Sequence, residues 1–110
     1  MALARAGRYF EAHEELELAW RAAEPPERDF FQGLGHVVVA WYQAGRGRRI
    51  GCERQLEKAQ RRLAPYAPAY LGVDVAGLLD DLTDARERVG SGRLDLPEPQ
   101  GLQRPLGADS

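Results

Sequence analysis

Two groups of side chains in this sequence have the types and spacing for chemistry. The first is His13, Glu14 and Glu17, with Trp20 one turn on, inside Tyr9-Phe10-Glu11-Ala12-His13-Glu14-Glu15-Leu16-Glu17-Leu18-Ala19-Trp20. The second is Gln32 and His36, in a segment otherwise rich in Phe, Leu and Val. Residues four apart on a helix project side by side, so His13 and Glu17 form a pair. An imidazole beside a carboxylate can supply two ligands to a metal, bond to each other, or meet a polar ligand. The metal reading meets an obstacle at once. His13-Glu14-Glu15-Leu16-Glu17 approaches the zinc-protease helix His-Glu-x-x-His, but Glu17 replaces its second histidine. A third ligand has to come from elsewhere, and His36 is the only other histidine. On ligand count we assign no metal and no cofactor. Burying ionisable groups is costly unless they are partnered. The first expectation is therefore a network in which His13 and Glu17 bond each other, or reach backbone and Gln32. Binding of a non-metal ligand comes next.

These residues need helices to hold them, and helical signals recur while strand signals are nearly absent. A first piece, about residues 2–6, reads as a helical turn stopping at Gly7. Helix one follows over about residues 8–23. At roughly 100° per residue, Ala12, Leu16, Ala19, Trp20 and Ala23 fill one arc with Tyr9. His13 and Glu17 sit on the shoulder of that arc, and Glu11, Glu15 and Leu18 face water. Pro25-Pro26 ends this helix and opens the next, because a proline in a first turn loses only an N–H that had no partner. Helix two spans about residues 26–44. Phe30, Phe31, Leu34, Val37, Val38, Trp41 and Tyr42 make it apolar around so much of its circumference that it belongs in the middle. Gln32, His36 and Gln43 form its one polar stripe. Gly33 and Gly35 are poor helix formers and are expected to mark close helix approach.

Helix three, about residues 48–63, carries Cys52, Leu56, Ala59 and Leu63 at helical spacing. Pro65 and Pro68 break the chain, and a short loop leads to Asp74, an N-cap candidate. Helix four uses Val75, Leu78, Leu79, Leu82, Ala85 and Val89. The fold class is all-α: a small antiparallel bundle of three main helices plus a shorter or fourth helix, with short connections. Residues 1–92 form this one domain, and residues 93–110 read as an extended or disordered tail that Leu94 and Leu96 can pin to the bundle.

The chain has 110 residues, room for one core. With 44% hydrophobic and 29% charged residues and a net charge of -2, it has no field that demands nucleic acid or an anionic membrane. Cys52 is the only cysteine, which excludes an internal disulfide and suits a reducing compartment. No apolar run reaches the roughly 20 residues of a membrane span, and Met1-Ala2-Leu3-Ala4-Arg5 lacks a secretory h-region. A cytoplasmic location is the expectation.

A basic run, Arg46, Arg48, Arg49, Arg54, Lys58, Arg61 and Arg62, crosses helix three. Phosphates can bind such a run. Helices one and four are acidic, however, and we expect the basic residues to pair with them across the bundle. Without a zinc module, RNA-binding signature or glycine-rich phosphate loop, nucleic acid is not the expected partner. Ser91 and Ser110 lie outside any nucleophile elbow, and Cys52 reads as a small core residue.

Tyr9-Phe10-Glu11-Ala12-His13-Glu14 with Glu17 and Trp20-Arg21 resembles the signature helix of an uncharacterised prokaryotic family, domain of unknown function 309. The likeness continues through Glu27-Arg28-Asp29-Phe30-Phe31-Gln32-Gly33-Leu34, Tyr42 and the Gly45/Gly47 turn, and reaches Leu71-Gly72-Val73-Asp74, so that it spans about residues 5–89. The resemblance implies a small all-α bundle and no established activity. Its motif residues here are His13, Glu14, Glu17, Trp20, Gln32 and Gly33. This chain has His36 and Gln43 where the family pattern more often has glutamine and histidine.

The residues favour a non-enzymatic helical protein that binds a protein partner or small-molecule ligand. The candidate site is His13, Glu14, Glu17, Trp20, Gln32 and His36, where helices one and two meet. A metal-dependent enzyme using that cluster is the alternative, and nucleic-acid binding through helix three a second one. Helix two's excess apolar surface also permits a homodimer.

Overall fold

The computed structural model describes residues 8–103. The expected helical turn at residues 2–6 lies outside them. Four main helices follow one another: α1 (Arg8–Ala22), α2 (Pro25–Gly45), α3 (Arg49–Leu63) and α4 (Val75–Gly90). Each boundary has a local cause. Pro25 stands in the first turn of α2. Arg46 and Gly47 close its end, with Gly47 at φ 74°. Asp74 caps α4 by accepting the Gly77 N–H at 2.9 Å. A side chain at Gly77 would strike that carboxylate.

The order of packing follows the order of sequence. α2 packs on both α1 and α3, and α3 also packs on α4. The all-α bundle is as expected, with α2 between its neighbours. Its buried face comprises Phe30, Gly33, Leu34, Val37, Val38, Ala40, Trp41 and Ala44. Cys52, Leu56, Ala59 and Leu63 of α3 and Val75, Leu78, Leu82, Ala85 and Val89 of α4 complete the core. No polar or charged residue is buried among the described residues. Leu18, which the wheel turned towards water, is 66% exposed.

One expectation needs correction. The segment between α3 and α4 is more than a loop. A 3-10 turn (Ala64–Tyr66) leads into a two-stranded antiparallel hairpin, β1 (Ala69–Tyr70) and β2 (Val73–Asp74). Leu71 and Gly72, both at positive φ, make its turn, the conformation that a tight two-residue hairpin demands. Its tyrosines serve the core: Tyr66 and Tyr70 meet the Phe30 ring edge-on at 5.3 and 4.9 Å. The tail is extended through Pro99, as expected, and it is packed. Leu94, Leu96 and Leu102 lie against the core and Pro99 is fully buried. A short α5 (Gln100–Gln103) rests on α4, so closely that a side chain at Gly101 would collide with the Leu78 backbone. The Gly101 N–H donates to Asp81 Oδ2 at 2.7 Å, and Trp41 Nε1 donates to the Pro97 carbonyl at 3.1 Å. Apolar residues and backbone hydrogen bonds hold this segment without any helical period.

Candidate functional site

The open side of the bundle is a groove floored by α2 and walled by α1 and α3. Its cavity has a volume of about 470 Å³. From α1 come His13, Leu16, Glu17 and Trp20; from α2, Phe31, Gln32, Gly35, His36 and Val39; from α3, Gln55 and Arg62. The spacings explain the convergence. Residues 13, 16, 17 and 20 make one stripe of a helix, and 32, 35, 36 and 39 another. Two crossing helices thus turn two stripes toward the same space.

Five of the six expected site residues, His13, Glu17, Trp20, Gln32 and His36, line this cavity. Glu14 does not. It follows His13 by one position, roughly 100° further round the helix, and is exposed away from the groove. Gln55 and Arg62 went unrecognised in the sequence. They stand two turns apart on α3, within a stretch whose charge made it read as a solvated face.

The hydrogen bonds differ from the expected network. Glu17 pairs with Arg21, one turn along α1, at 3.2 Å, with both side chains exposed. His13 is exposed and makes no hydrogen bond among the described residues. The formed polar pair is His36 Nδ1 with Gln55 Oε1 at 2.7 Å. An amide oxygen can only accept, so Nδ1 carries the hydrogen, and the neutral ring keeps a lone pair on Nε2. Desolvation by partial burial holds the His36 pKa below its usual value. The Gln55 hydrogen bond opposes this, and Arg62, Lys58 and Arg61 add to the lowering. Trp20 has its ring under the Arg28 guanidinium, 5.5 Å from the centroid. Its indole N–H is buried without a hydrogen-bond partner among the described residues.

A second cavity of about 510 Å³ shares His36 and Arg62 with the groove and is lined in addition by Asp29, Lys58, Arg61, Pro65 and Tyr66. Arg62 reaches Asp29 at 2.7 Å. That is the one ion pair between different helices among the described residues; the others link residues four apart. The expected pairing of the basic run with acidic α1 and α4 does not form. α3 meets α4 instead through Gln60, Thr83 and Arg86, and Lys58 and Arg61 have no ion pair among the described residues.

No group of three His, Cys, Asp or Glu among the described residues is placed to hold a metal. Cys52 is fully buried, and burial pushes its thiol pKa up to about 11, so it is a thiol with no nucleophilic role at neutral pH. His36 and Gln43, two turns apart on α2, serve different surroundings. Gln43 is absent from the cavity lining and packs over Gly51, where a side chain would sit 3.2 Å from the Gln43 amide carbon.

The pattern of the family described as Domain of unknown function (DUF309) matches residues 1–55, half of the chain. The chain belongs to this family. The matched part covers α1, α2 and the start of α3, and so carries nearly all of the groove. It stops short of the hairpin and α4, which the resemblance in the sequence included. No curated protein and no solved structure matches the chain. No helix among the described residues is long and apolar enough to cross a membrane.

Proposed function

We propose that this protein is a cytoplasmic, non-enzymatic binding protein whose groove between α1, α2 and α3 takes a small ligand. The observation that carries the reading is the convergence of His13, Glu17, Trp20, Gln32, His36 and Gln55 on one cavity of about 470 Å³. Ligand sites in proteins commonly occupy roughly 300–1,000 Å³, with apolar walls and a few polar groups that fix orientation. Leu16, Phe31 and Val39 supply such walls here. The single, buried cysteine suits a reducing compartment. A metal-dependent reaction would need a ligand set that the described residues do not assemble, and nothing in the geometry favours it over binding.

Gly35 provides the test. It lines the cavity, and a side chain built on it would meet nothing within 4 Å. Gly35→Leu should obstruct the cavity while leaving the helix intact. A small-molecule fragment screen by ligand-observed NMR should give hits on the wild type that vanish on Gly35→Leu, with circular dichroism unchanged. An empty screen, or hits that bind both proteins equally, would remove the reading.

A further inference from the structure

The two cavities differ in character and share a wall. The groove proper is lined by aromatic and aliphatic surface from Trp20, Phe31 and Val39. The second cavity has three cations, Lys58, Arg61 and Arg62, against one carboxylate, Asp29. His36 and Arg62 line both cavities. On the groove side the one lining carboxylate, Glu17, is held by Arg21. Lys58 and Arg61 are exposed and have no ion-pair partner among the described residues. Across the shared His36 and Arg62, an apolar, aromatic lining therefore gives way to one with surplus positive charge.

We propose that the ligand is a small amphipathic anion. Its apolar body lies on Trp20, Phe31 and Val39, and its oxyanion head, a carboxylate or phosphate, lies over Arg62 with Lys58 and Arg61 beyond. This deepens the reading of the groove as a ligand site and rests on it. The charge distribution decides the sign of the head: a cation would face three positive side chains. The lining decides the body: a bare anion would leave the apolar end unused. Arg62 is already poised, because its bond to Asp29 fixes the guanidinium at the junction of the two cavities. A planar guanidinium with several N–H groups can bond Asp29 and a second oxyanion together.

The test uses four probes on the intact chain by isothermal titration calorimetry: octyl phosphate and octanoate, each below its micelle concentration, octanol and inorganic phosphate. Octyl phosphate, octanoate or both should bind at least about tenfold more tightly than either octanol or inorganic phosphate. Arg62→Met should weaken that binding about tenfold, the weight of one charge-assisted hydrogen bond, and Gly35→Leu should abolish it. Lys58→Gln/Arg61→Gln, on exposed positions that carry no packing, should weaken it as well and guards against a folding defect in Arg62→Met. Preference for octyl phosphate over octanoate, or the reverse, identifies the head. Octanol binding as tightly as the better-bound amphipathic anion would overturn the proposal, and so would inorganic phosphate binding as tightly as that anion. Absence of binding by both amphipathic anions at millimolar concentration would overturn it too. The groove reading falls only if the fragment screen is also empty or its hits bind Gly35→Leu equally; neutral or cationic hits that Gly35→Leu abolishes would keep the groove and sink the anion.

Discussion

Two sides of α2 differ in a way that two glycines make plain. At Gly33 an added side chain would stand 2.7 Å from Leu63 Cγ and Cδ2 and 3.3 Å from Arg62 Cβ. At Gly35, two residues on, it would meet nothing within 4 Å. The first glycine lets α3 close on α2 and seals Leu63, Cys52, Leu56 and Ala59 in the core. The second lies where α1 and α3 diverge and the groove opens. Low helix propensity marks both glycines for close helix approach, and only Gly33 has it. A glycine in a helix costs about 1 kcal/mol relative to alanine. At Gly33 that cost is offset by packing. At Gly35 no packing offsets it, and the return is open space.

The comparison breaks first at the closed side. Leu63→Ala should destabilise the protein by about 2–5 kcal/mol, the range for deleting a fully buried leucine. Gly33→Ala should cost about 1–3 kcal/mol through overpacking, despite its better helix propensity. In the Leu63→Ala background the same substitution should become neutral or stabilising, because the clashing side chain is gone. Chemical denaturation of the four proteins measures this coupling. Additive effects would mean that Leu63 does not set the requirement for glycine.

Gly35→Ala sharpens the comparison from the other side. With no neighbour to strike, it should stabilise by up to about 1 kcal/mol from helix propensity, seen as a higher midpoint in the same denaturant series. A loss of stability would show that the groove wall is closed at this position, and would also remove the basis for plugging it with leucine.

What the sequence revealed follows from these contrasts. The four main helices were legible because each repeats apolar residues at helical spacing between strong stops: Pro25-Pro26, Gly45 and Gly47, Pro65, and the Asp74 cap. The hairpin was not, since two strands of two residues each leave no alternation to detect. Nor was the packing of Pro99 and Leu102, which hold by contact with a surface formed elsewhere in the chain, whereas the pinning by Leu94 and Leu96 was expected. On the site, the stripes of α1 and α2 were legible for the same reason as the helices. Gln55 and Arg62 were not, because nothing local distinguishes a polar residue beside a groove from one facing water. The His13–Glu17 bond was expected from their spacing, yet Arg21 has the same spacing from Glu17 and takes it.

The smallest effect expected is a titration. His36 is neutral more readily in the folded protein than in the unfolded chain, because partial burial and the α3 cations disfavour its charge. Above the ordinary value of 6.5 both states hold the ring neutral, and the folded state keeps its full advantage. As pH falls below 6.5 the unfolded chain takes up the proton first, so stability drops through that window and levels off below the lowered folded value. Gln55 works against the shift by favouring the protonated ring, which keeps the effect small. Denaturation midpoints of wild type and His36→Gln, measured from pH 8 to pH 5, should diverge on the acid side, with wild type losing more. Every other ionisable group is common to both proteins, so the difference isolates His36. Parallel curves would place His36 in an environment like water, and the open side of α2 would then extend deeper than the groove geometry allows.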